Sequence, residues 1–150
     1  MFSLVPLTES AVEEIVEWRY DPPYHFYDVD ADPEEYAEFV DSKTWDDKFA
    51  VEDDSGDVVG FFTFDSSGDA ITVGLGMRPE WTGEGLGAEF VTTGLEFAAA
   101  AYDCDRFELA VASFNERARS VYEAVGFETV ETFEQETNGG AYEFVRMRRD

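Results

Sequence analysis

The chain runs GLGMRPEWTGEGLGA over residues 74–88, and this stretch decides the fold. The residues leading into it, 70–77, are mainly apolar and predict a strand, while residues 86–101 are alanine-rich with apolar side chains at helical spacing and predict a helix. A turn of this kind exposes backbone N–H groups at the positive end of the helix dipole, and glycine lets an anion approach the backbone closely. The stretch therefore predicts a site for a phosphate or pyrophosphate.

Glycines in such a turn are also compatible with a simpler role, the tight packing of the helix on the strand. The stretch lacks the lysine and the serine or threonine of a P-loop. It also does not match the motif of a dinucleotide-binding fold. The glycines alone therefore leave the ligand open.

Outward from this stretch, hydrophobic periodicity and turn residues predict the remaining elements. They are a strand at 2–7, helices at 8–19 and 32–42, strands at 48–53, 58–64 and 70–77, a helix at 86–101, a strand at 106–112, a helix at 116–125 and two strands flanking the turn at 138–140. Their order is β-α-α-β-β-β-α-β-α-β-β. We expect one α/β domain over residues 1–150, with a mixed central sheet of about seven strands and four helices.

The charge of the chain is strongly unbalanced, since 35 acidic residues face 10 basic ones and the formal net charge is −25. The acids are spread along the whole chain, and 14 phenylalanines with regular periodicity argue against disorder. Such self-repulsion is best tolerated where salt screens it, which predicts adaptation to a salt-rich cytoplasm, as in halophilic archaea. Nucleic acid is disfavoured as a partner because its phosphates would meet a negative surface.

Compartment and metal content follow from what the sequence lacks. No stretch reaches the roughly 18 apolar residues of a membrane span, and the N-terminus has neither a basic region nor a long apolar run. The single cysteine, Cys104, provides neither a disulfide framework nor a cysteine-rich metal site. We expect a cytoplasmic protein with no membrane association and no metal.

A second motif lies about thirty residues beyond the glycine stretch, where the chain runs NERARSVYEAVGF over residues 115–127. It resembles the N-x-x-A-x-x-x-Y-x-x-x-G-F signature of the GCN5-related N-acetyltransferases. The glycine stretch in turn resembles the acetyl-coenzyme A loop of that family, usually Q/R-x-x-G-x-G/A. The order of strands and helices is also that of the family, so the resemblance extends over essentially the whole chain.

The resemblance implies acetyl-CoA as the cofactor and assigns roles to particular residues. The first strand and the strand after the long helix would splay apart, with the pantetheine arm between them. Backbone groups of Leu75 and Met77 would pair with the pantetheine amides, and Tyr122 would protonate the leaving thiolate, as a phenol with its proton at neutral pH is able to do. The implied cofactor-binding positions are Leu75, Met77, Thr82, Gly83, Glu84, Gly85, Leu86, Gly87 and Asn115.

Two positions depart from the family pattern, and a third differs from one branch of the family. Thr82 replaces the usual glutamine or arginine of the loop, and Glu84 replaces an often basic residue, so that pyrophosphate binding would depend on backbone N–H groups. In the branch that acetylates ribosomal proteins, a glutamate precedes the asparagine on the strand, and here that position is Ala110. Glu108 and Glu80 are weak candidates for the general base, and the simpler interpretation of both is that they are solvated acids.

The acceptor site should involve the segment between the first two helices, which is rich in aromatic residues. We expect Tyr24, His25 and Tyr27 to bind substrate, because clustered aromatic rings with nearby acids form a cage for a cationic amine. The alternative is that these rings close the core and that His25 lies on the surface.

These features together predict an acetyl-CoA-dependent N-acetyltransferase that acts on a primary amine of a small molecule by direct attack in a ternary complex. The alternatives are a protein acetyltransferase acting on N-termini or lysines, and a catalytically silent acyl-CoA-binding module. A homodimer is left open.

Overall fold

The computed structural model describes residues 2–21, 24–81, 85–137 and 140–150, with the backbone alone at 25, 26 and 137. The α-helices of this described part are α1 (Glu9–Ile15), α2 (Pro33–Val40), α3 (Gly87–Tyr102) and α4 (Glu116–Ala124). The strands are β1 (Ser3–Pro6), β2 (Lys48–Glu52), β3 (Val58–Asp65), β4 (Ile71–Met77), β5 (Phe107–Ala112), β6 (Glu128–Thr137) and β7 (Gly140–Arg149). The predicted element order and fold class are therefore confirmed.

Helix starts match the sequence better than helix ends. The side chain of Thr8 accepts the Ala11 N–H at 3.2 Å, and Asp32 caps α2 with Pro33 as its first residue. The expected end of α1 near residue 19 is wrong, since the helix ends at Ile15. Trp18 turns back: its backbone N–H donates to the Ile15 carbonyl, and its ring is buried in the core. Tertiary burial of this indole ends the helix one turn early.

The seven strands form one sheet in the order β1-β2-β3-β4-β5-β7-β6. Every adjacent pair is antiparallel except β4 and β5, which run parallel and share only the pairs Ile71–Phe107 and Thr72–Glu108. Beyond those pairs the two strands diverge and leave a gap between their carboxyl ends. The expectation that the first strand borders this gap is wrong, because β1 pairs with β2 at the far edge of the sheet. The strand that borders the gap opposite β5 is β4.

Each face of the sheet is covered by two helices, because alternate side chains of a strand point to opposite faces. Phe62 stacks on Phe90 of α3 with ring centroids 4.9 Å apart, in the larger core that α3 and α4 cover. Its neighbour Phe61 points the other way and meets Phe39 of α2 at 5.3 Å. We call these the α3/α4 face and the α1/α2 face. The gap between β4 and β5 connects them.

Candidate active site

A cavity of about 850 Å³ passes through this gap and reaches both faces of the sheet. Its walls combine backbone from β4 and β5 with side chains from the two helical layers. On the α1/α2 face the lining side chains include Tyr20, Tyr24, Tyr27, Glu35 and Phe61, and on the α3/α4 face they include Phe90, Val91, Val121 and Tyr122. The cavity therefore has two differently built halves that meet where the sheet is open.

The strand β4 presents free backbone groups to the gap. The backbone N–H of Arg78 donates a hydrogen bond to the Val59 carbonyl at 2.7 Å. Hydrogen-bonded and non-hydrogen-bonded pairs alternate between antiparallel strands, so Phe61 and Gly76, two residues further along, also form a hydrogen-bonded pair. Leu75 and Met77 alternate with those residues, so their N–H and C=O groups point away from β3 and towards β5. Because β5 has diverged there, these groups are available to a ligand.

Tyr20 uses one of these groups. Its hydroxyl donates a hydrogen bond to the Met77 carbonyl at 2.7 Å. Burial, and then the charges of Asp28 and Glu80, raises the pKa of Tyr20, so this phenol remains a donor. A ligand in the gap would therefore meet the N–H of Met77 and both backbone groups of Leu75.

Tyr27 is fixed at the end of the other strand. Its hydroxyl accepts hydrogen bonds from the Ala112 N–H at 3.2 Å and from the side-chain amide of Asn115 at 3.3 Å. The side-chain oxygen of Asn115, Oδ1, caps α4 by accepting a hydrogen bond from the Ala118 N–H at 3.2 Å. Asn115 lines the cavity, as predicted for a cofactor ligand, but its side chain already orders the site by connecting α4 to Tyr27.

Tyr122, to which the signature motif assigns the catalytic role, belongs to α4. Its side chain is 9% exposed and packs edge-on against Phe127 with centroids 5.9 Å apart, while the residue lines the cavity from α4. Burial, and then the nearby Tyr27 hydroxyl, raises the pKa of Tyr122 well above the ordinary phenol value. The hydroxyl therefore keeps its proton across the physiological range and is able to act as a general acid.

The anion site at the start of α3 is described only in part, because Thr82, Gly83 and Glu84 lie outside the described residues. Gly85 has φ +78°, a backbone conformation that favours glycine. No side chain caps α3 at Leu86, so the N–H groups of its first turn are not bonded by a cap. Gly87 lies against Val121, and a Cβ there would come within 3.0 Å of that side chain. The uncapped turn supports the predicted anion site.

The acids considered as bases have other partners. Glu108 forms ion pairs with Arg146 at 3.1 Å and Arg148 at 3.7 Å, and Glu80 pairs with Arg78 at 2.6 Å. Among the described residues, the acid that lines the cavity is Glu35, whose pKa is raised by partial burial and then by Asp32 and Glu38. Sequence reasoning missed it because an acid in the first turn of a helix is already explained by the helix dipole.

Tyr24 and His25 are the other two residues predicted to bind substrate. Tyr24 lines the cavity with the Arg117 guanidinium 4.8 Å from its ring centroid. The backbone of His25 belongs to the 3-10 segment Tyr24–Tyr27, and its side chain lies outside the described part. Within the described ranges, no group of histidine, cysteine and acidic side chains is arranged to hold a metal, and no helix is long and apolar enough to cross a membrane.

Solved structures show what this arrangement is similar to. The spermidine N-acetyltransferase from Vibrio cholerae, in complex with CoA and spermine, superposes with a TM-score of 0.79 at 20% identity, covering 98% of this chain and 94% of that one. An acetyltransferase of the GNAT family from Bacillus anthracis gives 0.73 at 15% identity, covering 98% and 93%. At these identities the likeness shows the fold. No curated protein sequence matches the chain.

A family model supplies the assignment that structural likeness alone does not. The model described as the acetyltransferase (GNAT) domain matches residues 2–128, which include both strands that border the gap, α3 and α4 with Asn115 and Tyr122. The chain therefore belongs to the GNAT family and is an N-acetyltransferase.

Proposed function

We propose that the chain transfers an acetyl group from acetyl-CoA to a primary amine of a small molecule, by direct attack of the neutral amine in a ternary complex. The observation that carries this proposal is the cavity through the open sheet. Its α3/α4 half offers an uncapped helix start and the buried phenol of Tyr122, whereas its α1/α2 half offers aromatic rings and one carboxylate. Two different ligands therefore meet at the gap.

The residues present fit coenzyme A. The N–H and C=O of Leu75 and the N–H of Met77 suit the amides of a pantetheine arm, and the uncapped start of α3 suits a pyrophosphate. Coenzyme A, when bound, would supply the acyl group as a thioester. Gly74 and Gly76 line the cavity from β4, where the side chains of Thr63 and Phe61 cover their α1/α2 face, so an acceptor would approach along the ring of Phe61.

The chain's own residues then have separate tasks. Tyr122 holds a proton that its O–H is able to donate to the leaving sulfur, and it recovers a proton from solvent afterwards. Tyr20 and Tyr27, from the segment between α1 and α2, orient Met77 and Asn115 through hydrogen bonds at the ends of β4 and β5. The proton of the attacking amine leaves to water, since Glu108 and Glu80 are engaged by arginines.

A small acceptor is favoured over a protein. The walls on the acceptor side enclose the entrance with Tyr20, Tyr24 and Tyr27, all supplied by the segment between α1 and α2. The position that carries a glutamate in the branch acting on ribosomal proteins is Ala110 here. A structural neighbour whose fold superposes over nearly the whole chain is a spermidine N-acetyltransferase, which supports the class of acceptor.

The test replaces Tyr122 with phenylalanine and measures two quantities. We expect Tyr122→Phe to reduce turnover about 100-fold, the typical contribution of a general acid, while coenzyme A binding measured by calorimetry stays unchanged. Tyr102→Phe is the matched control, because the Tyr102 hydroxyl bonds Asp47 outside the cavity. Coenzyme A binding without release of thiol in the presence of any amine would instead indicate a silent acyl-CoA-binding module.

A further inference from the structure

We call the part of the cavity on the α1/α2 face, lined by Tyr20, Tyr27, Glu35 and Phe61, the acceptor half. Its charged side chains are unevenly distributed, which the reaction itself does not require. Of the 35 acids in the chain, Glu35 is the one that lines the cavity within the described ranges, and Arg117 is the one base there. Arg117 belongs to α4, on the same helical face as Val121, which contacts the start of α3. The guanidinium lies over the Tyr24 ring, 4.8 Å from its centroid, so the base is at the wall formed by α4 and Tyr24 and the acid is at the wall formed by α2.

The position of Glu35 follows from its helix. Glu35 and Phe39 are four residues apart on α2 and share a face, and Phe39 packs on Phe61 at 5.3 Å. Phe61 lines the cavity beneath this face, directly opposite Gly76 in the strand register. The carboxylate is thus held at the rim of the acceptor half, above an aromatic floor and away from Tyr122, which enters from the other side of the sheet.

The surroundings of Glu35 select for positive charge. Glu35 forms no ion pair among the described residues, and Asp32 and Glu38 add negative potential beside it. The rings of Phe61 and Tyr20 supply faces on which a cation is stabilised. An anionic group at this rim would face three carboxylates, so an acceptor with a distant carboxylate or phosphate is disfavoured.

From this arrangement we infer that the acceptor is an elongated amine with a second cationic group, and that Glu35 is the residue that binds this second group and sets specificity. The inference rests on the proposed function, since it names the acceptor class of the same site. The amine that reacts occupies the gap beside Tyr122, and the other ammonium or guanidinium pairs with Glu35 at the rim. Recognition at the distant end leaves the reacting amine free to lose its proton.

The experiment compares three acceptors that share a five-methylene chain and differ at the far end: cadaverine (ammonium), n-hexylamine (methyl) and 6-aminohexanoate (carboxylate). We expect kcat/KM for cadaverine to exceed that for hexylamine by up to about fivefold beyond the statistical factor of its two equal ends, as a partly exposed ion pair provides. The carboxylate compound should be the poorest of the three. Glu35→Gln should bring cadaverine to within about twofold of hexylamine and leave hexylamine itself unchanged.

Two further variants make the outcome specific. Glu34→Gln removes the same charge from the neighbouring position on α2, which does not line the cavity, and should preserve the preference for cadaverine. Glu35→Lys should reverse it in favour of 6-aminohexanoate. An equal loss for all three acceptors in Glu35→Gln would overturn the inference, because Glu35 would then act on the reacting amine or on folding. Acetylation of all three without preference would also overturn it but leave the proposed function intact. Acetylation of none would overturn it as well, and the absence of thiol release with every other amine would then be needed to refute the proposed function.

Discussion

The side-chain amide of Asn115 donates a hydrogen bond to the hydroxyl of Tyr27, 3.3 Å away and 88 positions earlier in the chain. The same hydroxyl accepts the last N–H of β5, from Ala112, while Tyr20 bonds the last carbonyl of β4, from Met77. The segment between α1 and α2 is thus attached to both strands where they border the gap. The residues that shape the acceptor half are coupled to those that would hold the cofactor.

Tyr27→Phe should weaken this coupling. The variant keeps the ring but leaves the Ala112 N–H and the Asn115 amide without their acceptor, which we expect to cost about 1–3 kcal/mol in the free energy of unfolding. Urea denaturation measures this cost, and initial rates should show a higher KM for the acceptor. Tyr24→Phe is the control, because it removes a hydroxyl from the same segment without breaking either bond. Equal destabilisation by both variants would contradict the prediction.

Gly76→Ala should narrow the acceptor half. A Cβ at this position would lie 2.3 Å from Cε1 of Phe61, so the ring must move into the cavity or the strand must shift. We expect a loss of about 1–3 kcal/mol in stability, as for other overpacked sites, together with weaker acceptor binding. Gly68→Ala provides the comparison, since its Cβ would meet nothing nearer than 3.8 Å. An unchanged KM in Gly76→Ala would show that acceptors do not pass over this face of β4.

Alkaline pH should destabilise the chain through its buried phenols. The pKa values of Tyr20 and Tyr122 are raised in the folded protein, chiefly by burial. Above the ordinary phenol pKa of about 10, the unfolded chain loses these protons while the folded chain retains them, so stability falls as pH rises, by up to about 1.4 kcal/mol per pH unit for each tyrosine. Below that pH both states are protonated and the contribution is constant.

Urea midpoints measured between pH 8 and 11 would show this dependence. Tyr122→Phe should reduce the slope above pH 10, and Tyr36→Phe provides the comparison, because it removes a hydroxyl from an exposed side chain. Identical slopes in the wild type and in Tyr122→Phe would mean that the Tyr122 phenol ionises as readily in the folded chain as in the unfolded one.

Salt should stabilise the fold. A net charge of −25 on 150 residues repels itself most strongly in the compact state, and the screening length decreases from about 10 Å at 0.1 M salt to about 3 Å at 1 M. We therefore expect the urea midpoint to rise steadily as KCl increases from 0.1 M to molar concentrations. A midpoint independent of KCl over that range would remove the basis for linking the composition to a salt-rich cytoplasm.

Particular residues show where sequence reasoning was sufficient and where it was not. The cap Asp32-Pro33, the helix that follows Asn115 and its end at Gly126 are local signals, and the structure has each of these elements as expected. The role of Tyr20 as a donor to Met77 joins residues 57 positions apart, and no periodicity encodes it. The same holds for Glu35, whose place at the cavity depends on how α2 packs on Phe61.

By itself, the sequence determined the α/β fold, the order of its elements, the glycine turn before α3 and the family to which the chain belongs, because each depends on residues that are close together in the chain. Only the tertiary structure decided which strands border the gap, which backbone groups remain free, and which acid of the described residues lines the cavity. These features arise from packing and strand pairing between distant segments. Their free energies depend on three-dimensional proximity, which local patterns do not contain.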